Sequence, residues 1–533
     1  MLAAIIALLA AFWAARAVNP SELDKRFESI EAFLRRSGPA VAAIVTPLVM
    51  WWAWGSANPL PIIHDESSYL LQADIFARLR WTAPAPAMPE FFEQPHVLVS
   101  PVVASKFPPG HALLLAIGSL VRFHPLVPLL LAGATAALLV ALTTRVCNPW
   151  VGLLAWMTWL VTPLVLRYEP GYFSQSTSTL AVLAAWWCLL EWRDSRRKLW
   201  VALMAFAVAW GGITRPISML AFALPIAVVA VADIVRYRLW ADLPIAMGVA
   251  LAVLAIVPLW NARTTGDKRV TPLALYTRDY LPFDKPGFAT DSTPPRRALS
   301  PVLKSLYDDF LARRASQRLG TLHWIVASRL WNLGRDLWQG TQILLLPFFA
   351  LGLFAMPRDM RFAGLSCVLL FLAYLPYAHD PQWTLFYLEV APVVAAITGC
   401  GIWRALVWFT QGVEVRLHID RRPKLGSALV AIVLAFFALP TLTIWRLEHQ
   451  RMSSVRMEFD RAVRQLPASK AIIFLHYAPR TAHLSLVSNY ADLQRAPIWV
   501  VHDLGARNQE LVKLALDRTA FVFDETQMEF RRF

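Results

Sequence analysis

Apolar runs long enough to approach or cross a lipid bilayer recur along almost the whole chain, and no other feature narrows its fold so far. A helix needs roughly 17 to 25 predominantly apolar residues to span the hydrocarbon, where only internally bonded backbone survives. Stretches near that length begin at Gly38, Leu126, Trp150, Ser178, Leu199, Ile217, Leu243, Ile343, Phe362, Leu388 and Leu429. The chain of 533 residues is 57% hydrophobic and 16% charged, and a mean hydropathy of +0.47 is far from that of soluble chains of this size. The sequence therefore predicts an α-helical polytopic membrane protein with about eleven or twelve transmembrane helices.

The basic residues orient the spans. A net charge of +15 in a soluble chain would make nucleic acid a candidate partner. Here the Lys and Arg residues sit mainly in short connectors, as topology signals do, and no nucleic-acid partner is expected. Met1 to Ala15 reads as an N-terminal anchor, or as a signal-like segment without the usual basic start, followed by Arg16, Lys25, Arg26, Arg35 and Arg36. Residues 1–37 thus form an anchor and cytoplasmic linker, and residues 38–445 the transmembrane core. The cluster Arg193, Arg196, Arg197 and Lys198 marks another cytoplasmic end, as do Arg145, Arg236, Arg358 and the basic stretch Arg404 to Lys424. Alternating from these points leaves outside the cytoplasm the loop 58–110, the loop 261–340, despite its many basic residues, and the tail 446–533. Within the tail, Ala471 to His476, Ile498 to His502 and Thr519 to Phe523 read as strands and Asn508 to Leu516 as a helix, predicting a small extracytoplasmic α/β module. The four cysteines lie in or beside apolar runs without paired spacing and are expected as free, buried thiols.

The outer loops hold the residues that can carry chemistry. Asp65 and Glu66 stand in His64-Asp65-Glu66-Ser67-Ser68-Tyr69-Leu70-Leu71-Gln72-Ala73, at the start of a helix expected to reach about Arg80, with Tyr69, Gln72 and Phe76 at helical intervals from Asp65. Acids there serve as caps and relieve the helix dipole. Ionisable groups at the mouth of a membrane bundle also line substrate paths, where one carboxylate serves as general base while its neighbour orients it. Lys106 precedes Phe107-Pro108-Pro109-Gly110, and Arg215 lies in Gly211-Gly212-Ile213-Thr214-Arg215-Pro216 at an outer helix end. Arg215 suits bidentate phosphate binding, with snorkelling to head groups as the alternative. Glu169, beside Tyr168 and near Tyr172, is a second acid, with loop solvation its expected role. His379-Asp380 can orient a hydroxyl or contribute to a metal site, yet two residues do not make one. The remaining histidines of the eleven are dispersed. The sequence supports no metal or other cofactor.

The acidic pair, the Lys-Phe-Pro-Pro-Gly turn, the Thr-Arg-Pro helix end and the external tail, taken together, resemble the C-type glycosyltransferases, polytopic enzymes that use lipid-phosphate sugar donors and include protein O-mannosyltransferases and the aminoarabinose transferase of lipid A. In that superfamily the first external loop carries an acidic motif followed by Tyr and small residues, matched by His64 to Ala73, and a Pro-Pro-Gly turn, matched by Pro108 to Gly110. The stretch from Thr265-Gly266-Asp267 through Pro272, Tyr276 and Tyr280 to Gly287-Phe288 is similar to a later loop of bacterial members. A second acidic motif of some members appears here only as Glu169.

The resemblance implies a membrane glycosyltransferase that moves a sugar from a polyprenyl-phosphate donor to a hydroxyl of a lipid, glycan or protein acceptor at the outer face of the cytoplasmic membrane. It implies inversion, with Asp65 as base, and Lys106, Arg215 and Arg278 as phosphate contacts. Tyr69, Glu169 and His379 complete the candidate substrate-binding set. Two other classes fit parts of the sequence. A lipid-linked sugar flippase or transporter usually places its charges near the bilayer midplane in repeated halves, whereas these charges gather at one surface without an internal repeat. An O-antigen ligase or polymerase-like enzyme fits the long loop 261–340 and is opposed by the acidic first loop.

Overall fold

The computed structural model describes residues 20–56, 59–291, 293–417, 422–477, 486–489 and 491–533; the expected anchor Met1 to Ala15 lies outside them. Among the described residues six helices are long and apolar enough to cross a membrane: Lys25–Trp54, Leu126–Val146, Pro216–Tyr237, Asp242–Thr265, Thr384–Trp408 and Pro423–Arg464. A seventh is added if Leu319–Trp338 and Gly340–Ala355, bent by 101°, form one broken span. The chain is a multi-pass membrane protein, but most of the remaining apolar stretches make helices too short to span alone.

Proline accounts for much of that difference. A proline has no N–H to give and is tolerated at a helix start, so a proline inside an apolar run tends to open a new helix. The run from Trp150 to Val165 accordingly divides into Pro149–Leu160 and Pro163–Tyr168, and the run before Pro216 ends with Lys198–Gly212, too short to span alone. The basic segment read as a linker between Lys25 and Arg36 is instead continuous with the next span, in one helix from Pro20 to Trp54.

The two ends of the bundle carry different features. At one end Arg145 pairs with Glu191 at 2.6 Å, and Arg193 pairs with Asp233 at 2.8 Å and Asp359 at 3.4 Å. The helix Ser174–Ser195 has 22 residues, so its first turn lies about 30 Å from that basic end. Around that first turn gather the helix His64–Ala77, the helix Pro109–Leu120 and a small antiparallel sheet of β1 (Ala83–Pro84), β3 (Val102–Ser105) and β2 (Val97–Leu98), in that spatial order.

The expected last span and the start of the tail are one element, the 43-residue helix Arg422–Arg464. Where it leaves the bundle, Arg446, His449 and Gln450 donate to the carbonyls of Trp52, Ala53 and Gly55 at 2.8, 3.1 and 3.0 Å, satisfying acceptors that the end of the first helix leaves open. The tail strands fall where the sequence places them: β4 (Ala471–His476) lies between β5 (Ile498–His502) and β6 (Thr519–Asp524), parallel to both. A further strand, β7 (Glu529–Arg532), runs antiparallel to β6. Phe91 and Phe92 of the first loop are buried against Ile472, Phe474 and Val501 of this sheet. Leu98, also of the first loop, packs against Tyr276, Tyr280 and Leu303 of the middle loop. The first loop thus packs apolar residues against both the tail and the middle loop at one end of the bundle.

Candidate active site

The helix His64–Ala77 presents its two acids differently. Glu66 turns back over the helix start, where its carboxylate accepts from the backbone N–H groups of Ile62 at 2.7 Å and Ile63 at 3.1 Å, and its other oxygen accepts from Tyr172 N–H at 2.9 Å. These bonds satisfy donors that a helix start leaves open and brace the first loop against the segment before Ser174–Ser195. Burial nonetheless pushes the Glu66 carboxyl up to about 7. Asp65 instead keeps 35% of its side chain open, with Oδ1 3.0 Å from His96 Nε2. Desolvation raises its pKa against the opposing pull of Lys106 and Arg215.

Lys106 is only 4% exposed. Its ammonium lies over the rings of Tyr276 at 4.9 Å and Phe107 at 5.3 Å, and among the described residues no carboxylate approaches it within ion-pairing distance. Burial lowers its pKa, while Asp284 and Asp65, further off, work to raise it. An ammonium held by ring faces and distant carboxylates has hydrogen-bond donors to spare.

Arg215 does not snorkel. Its guanidinium, 12% exposed, donates from Nε to Glu389 at 3.1 Å, from Nη2 to the Tyr374 hydroxyl at 2.7 Å and from Nη1 to Ser174 at 3.4 Å. Tyr69 donates to the same Ser174 hydroxyl at 2.9 Å, so the acidic helix and Arg215 meet through one serine. The Pro-Pro-Gly turn makes a second connection: Gly110 N–H donates to the Ile213 carbonyl at 2.9 Å. A Cβ on Gly110 would stand 2.3 Å from the Thr214 hydroxyl and 2.9 Å from that carbonyl. Glycine is what lets the turn after Lys106 dock against the corner that carries Arg215.

Three expectations change. Glu169 is not a solvated loop residue: it is 1% exposed, and one carboxylate oxygen has no hydrogen-bond partner among the described residues. Burial, reinforced by the charge of Glu389, raises it to about 8. Arg278 is 48% exposed and pairs with Asp279 at 2.8 Å, and none of its described contacts reaches Asp65 or Lys106. His379 is buried, stacked on Phe386 at 4.6 Å, with Nδ1 bonded to the Asp380 backbone carbonyl at 2.8 Å and Nε2 to the Tyr387 hydroxyl at 3.2 Å. Both ring nitrogens are engaged within an aromatic corner, and burial lowers its pKa to about 3. Among the described residues no group of three or more His, Cys, Asp or Glu side chains is arranged to hold a metal ion.

The structure also brings in residues the sequence reading passed over: His96 beside Asp65, Asp284 near Lys106, and Glu389 with Tyr374 around Arg215. Glu389 left a signal, a lone acid inside the apolar run Leu385 to Val393, since an acid at that depth calls for a partner. His96 and Asp284 left none, because their partners are distant in sequence.

No family model and no curated protein sequence matches the chain. Its structure is similar to that of ArnT from Cupriavidus metallidurans in the apo state, at 13% identity and a TM-score of 0.51, covering 92% of this chain and 93% of that one. The crystal structure of ArnT from Cupriavidus metallidurans bound to undecaprenyl phosphate aligns over the same shares at 12% identity and a TM-score of 0.49. The archaeal oligosaccharyltransferase AglB from Archaeoglobus fulgidus, in complex with an inhibitory peptide and a dolichol-phosphate, aligns over 92% of this chain and 70% of that one, at 12% identity and a TM-score of 0.41. At such identities the likeness is one of fold: the chain has the membrane fold of the C-type glycosyltransferases.

Proposed function

We propose that the protein is a membrane glycosyltransferase that moves a sugar from a polyprenyl-phosphate donor to an acceptor hydroxyl, with inversion and with Asp65 as general base. The observation that carries this reading is a half-open carboxylate beside two buried cations of unlike kind. Asp65 alone of the three keeps a substantial part of its side chain open, while Lys106 is buried with no carboxylate among the described residues in ion-pairing distance. A sugar phosphate supplies what such an arrangement lacks: an anion for the cations and a carbon whose bond to the phosphate oxygen can break.

In the step so read, the acceptor oxygen attacks the anomeric carbon from the face opposite the phosphate and its proton passes to Asp65. The carbon–oxygen bond to the polyprenyl phosphate breaks with both electrons leaving on the phosphate. Lys106 and Arg215 hold the charge that develops there, and because both are fixed before the reaction, little reorganisation is needed. Glu389 and Tyr374 keep Arg215 in place, and Tyr69 joins that network through Ser174. With its pKa near 8, Glu169 keeps its proton at neutral pH and takes no part in the proton transfer. The lipid donor fits the architecture, since a prenyl chain stays in the bilayer while its head group enters a site at the bundle end. On this reading that end lies outside the cytoplasm, at the outer face of the cytoplasmic membrane, which the positive-inside pattern supports.

Mass spectrometry of cell-envelope lipids, glycans and proteins from cells with and without the gene tests the reading. A sugar substituent present only with the protein, with its polyprenyl-phosphate donor accumulating in its absence, is the expected result. An unchanged envelope together with an unchanged pool of lipid-linked sugars contradicts it.

A further inference from the structure

His96 is the described side chain that touches Asp65, and its setting is unusual. The residue has a φ of +66°, a left-handed conformation that non-glycine side chains rarely take and that asparagine tolerates best. Three long-range bonds hold it there. Its carbonyl accepts from Lys106 N–H and from the Ser68 hydroxyl, each at 2.9 Å, and its own N–H donates to the Tyr276 hydroxyl at 3.1 Å. The ring lies 5.5 Å from Phe107 and 6.4 Å from His64. Nε2 is 3.0 Å from Asp65 Oδ1, whereas Nδ1 is buried with no hydrogen-bond partner among the described residues.

We infer, on the reading of Asp65 as the base, that His96 is its positioning residue: a neutral imidazole whose Nε2–H donates to Oδ1 and so fixes the carboxylate with Oδ2 presented to the acceptor hydroxyl. An ionised carboxylate needs a donor facing it, so the proton belongs on Nε2 and Nδ1 is left bare. Burial and the nearby charge of Lys106, with His64 adding to it, keep the ring neutral well below its ordinary pKa. The other charged or titratable groups acting on Asp65 are Lys106 and Arg215, which favour its ionised form, and Glu66, Tyr69 and Tyr377, on which its own charge acts. His96 thus contributes a hydrogen bond and no charge. Losing it removes a stabiliser of ionised Asp65 and moves the pH below which activity falls upward.

Two amide substitutions separate this role from a merely structural one. A glutamine amide nitrogen reaches the place of Nε2, whereas an asparagine amide nitrogen reaches only that of Nδ1. Asparagine is in turn the better residue for the left-handed backbone. If His96 only served the turn, His96→Asn would outperform His96→Gln; the positioning role demands the reverse.

The experiment measures initial transfer rates against pH in membrane vesicles carrying their own lipid-linked donors, for the intact protein, Asp65→Asn, His96→Ala, His96→Asn and His96→Gln. Binding of undecaprenyl phosphate to each purified protein reports an intact cation site. We expect His96→Ala and His96→Asn to be slowed about 10- to 100-fold at neutral pH, the scale of a misplaced catalytic group, with the acid limb moved upward. His96→Gln should recover to within about threefold with the limb restored, and undecaprenyl phosphate binding should be unchanged throughout. Full activity and an unmoved acid limb in His96→Ala, with Asp65→Asn inactive, would overturn the inference alone. So would a His96→Gln protein that binds undecaprenyl phosphate yet is no faster than His96→Asn. Activity retained by Asp65→Asn would remove the reading on which the inference stands, and the inference with it.

Discussion

Lys106 is where stability and function pull apart most clearly. A buried ammonium with only ring faces around it costs folding free energy, and exchanging it for an apolar side chain of similar length removes that cost. Lys106→Met should therefore melt at the same temperature as the parent or higher. Its affinity for undecaprenyl phosphate should fall about 10- to 100-fold, the worth of one charge-assisted hydrogen bond of about 1.5–3 kcal/mol. Thermal unfolding and a binding titration in detergent check both halves, and a variant that loses stability while binding normally would make Lys106 structural. Glu169 offers a pH test. Its folded-state pKa of about 8 lies above that of an unfolded glutamate, so the folded protein holds this proton more tightly. The stability it lends at low pH is lost as pH rises from about 4.5 through 8. Glu169→Gln has no such proton to lose, and its melting temperature relative to the parent should rise between pH 5 and pH 8 by roughly 2 °C or more. A constant offset across that range would mean the carboxyl is not desolvated.

Among the elements, the turn at Pro108 to Gly110 does the most to join the two halves of the cation site. Its glycine packs against the backbone of Ile213 and the Thr214 hydroxyl, so a methyl group there forces apart the segments that carry Lys106 and Arg215. Overpacking of this kind costs about 1–3 kcal/mol, and Gly110→Ala should lower both the melting temperature and undecaprenyl phosphate affinity. Gly248, inside the helix Asp242–Leu254, where an added Cβ meets nothing within 4 Å, is the control, and Gly248→Ala should leave the affinity unchanged and the melting temperature unchanged or raised. Equal behaviour of the two variants would show that the docking does not matter. The acidic helix and the tail strands were legible in the sequence because their signals are local: an Asp-Glu pair opening a helix, and short β-branched runs between polar turns. The division of apolar stretches into short helices was less so, since hydropathy alone counts apolar length and does not register where proline restarts a helix. The Asp65–His96 contact was not legible at all, because strand β2 and its pairing with β3 bring His96 back to a helix begun thirty-two residues earlier in the chain.

At the scale of the whole molecule, the first loop, the middle loop and the tail form one packed layer at the end of the bundle opposite the Arg145 and Arg193 ion pairs. The positive-inside pattern assigns that layer to the outside of the cytoplasmic membrane. Single cysteines at exposed positions report the assignment: a membrane-impermeant thiol reagent applied to intact cells should label Arg80→Cys, Lys268→Cys and Lys513→Cys and spare Lys198→Cys. Labelling of Lys198→Cys with protection of the other three would invert the topology, and a split among the three would contradict their common layer. The basic middle loop was the weakest point of the charge argument. Its Tyr276 and Tyr280, buried against Leu98 of the acidic loop, are what tie it to the same side.

The most direct measurement of the central claim is the rate of sugar transfer by Asp65→Asn in membrane vesicles, set beside its binding of undecaprenyl phosphate. The account predicts that this isosteric change leaves the lipid phosphate bound and the protein folded, while transfer falls at least about 100-fold, as loss of a general base requires. Transfer at the parental rate by Asp65→Asn would contradict it.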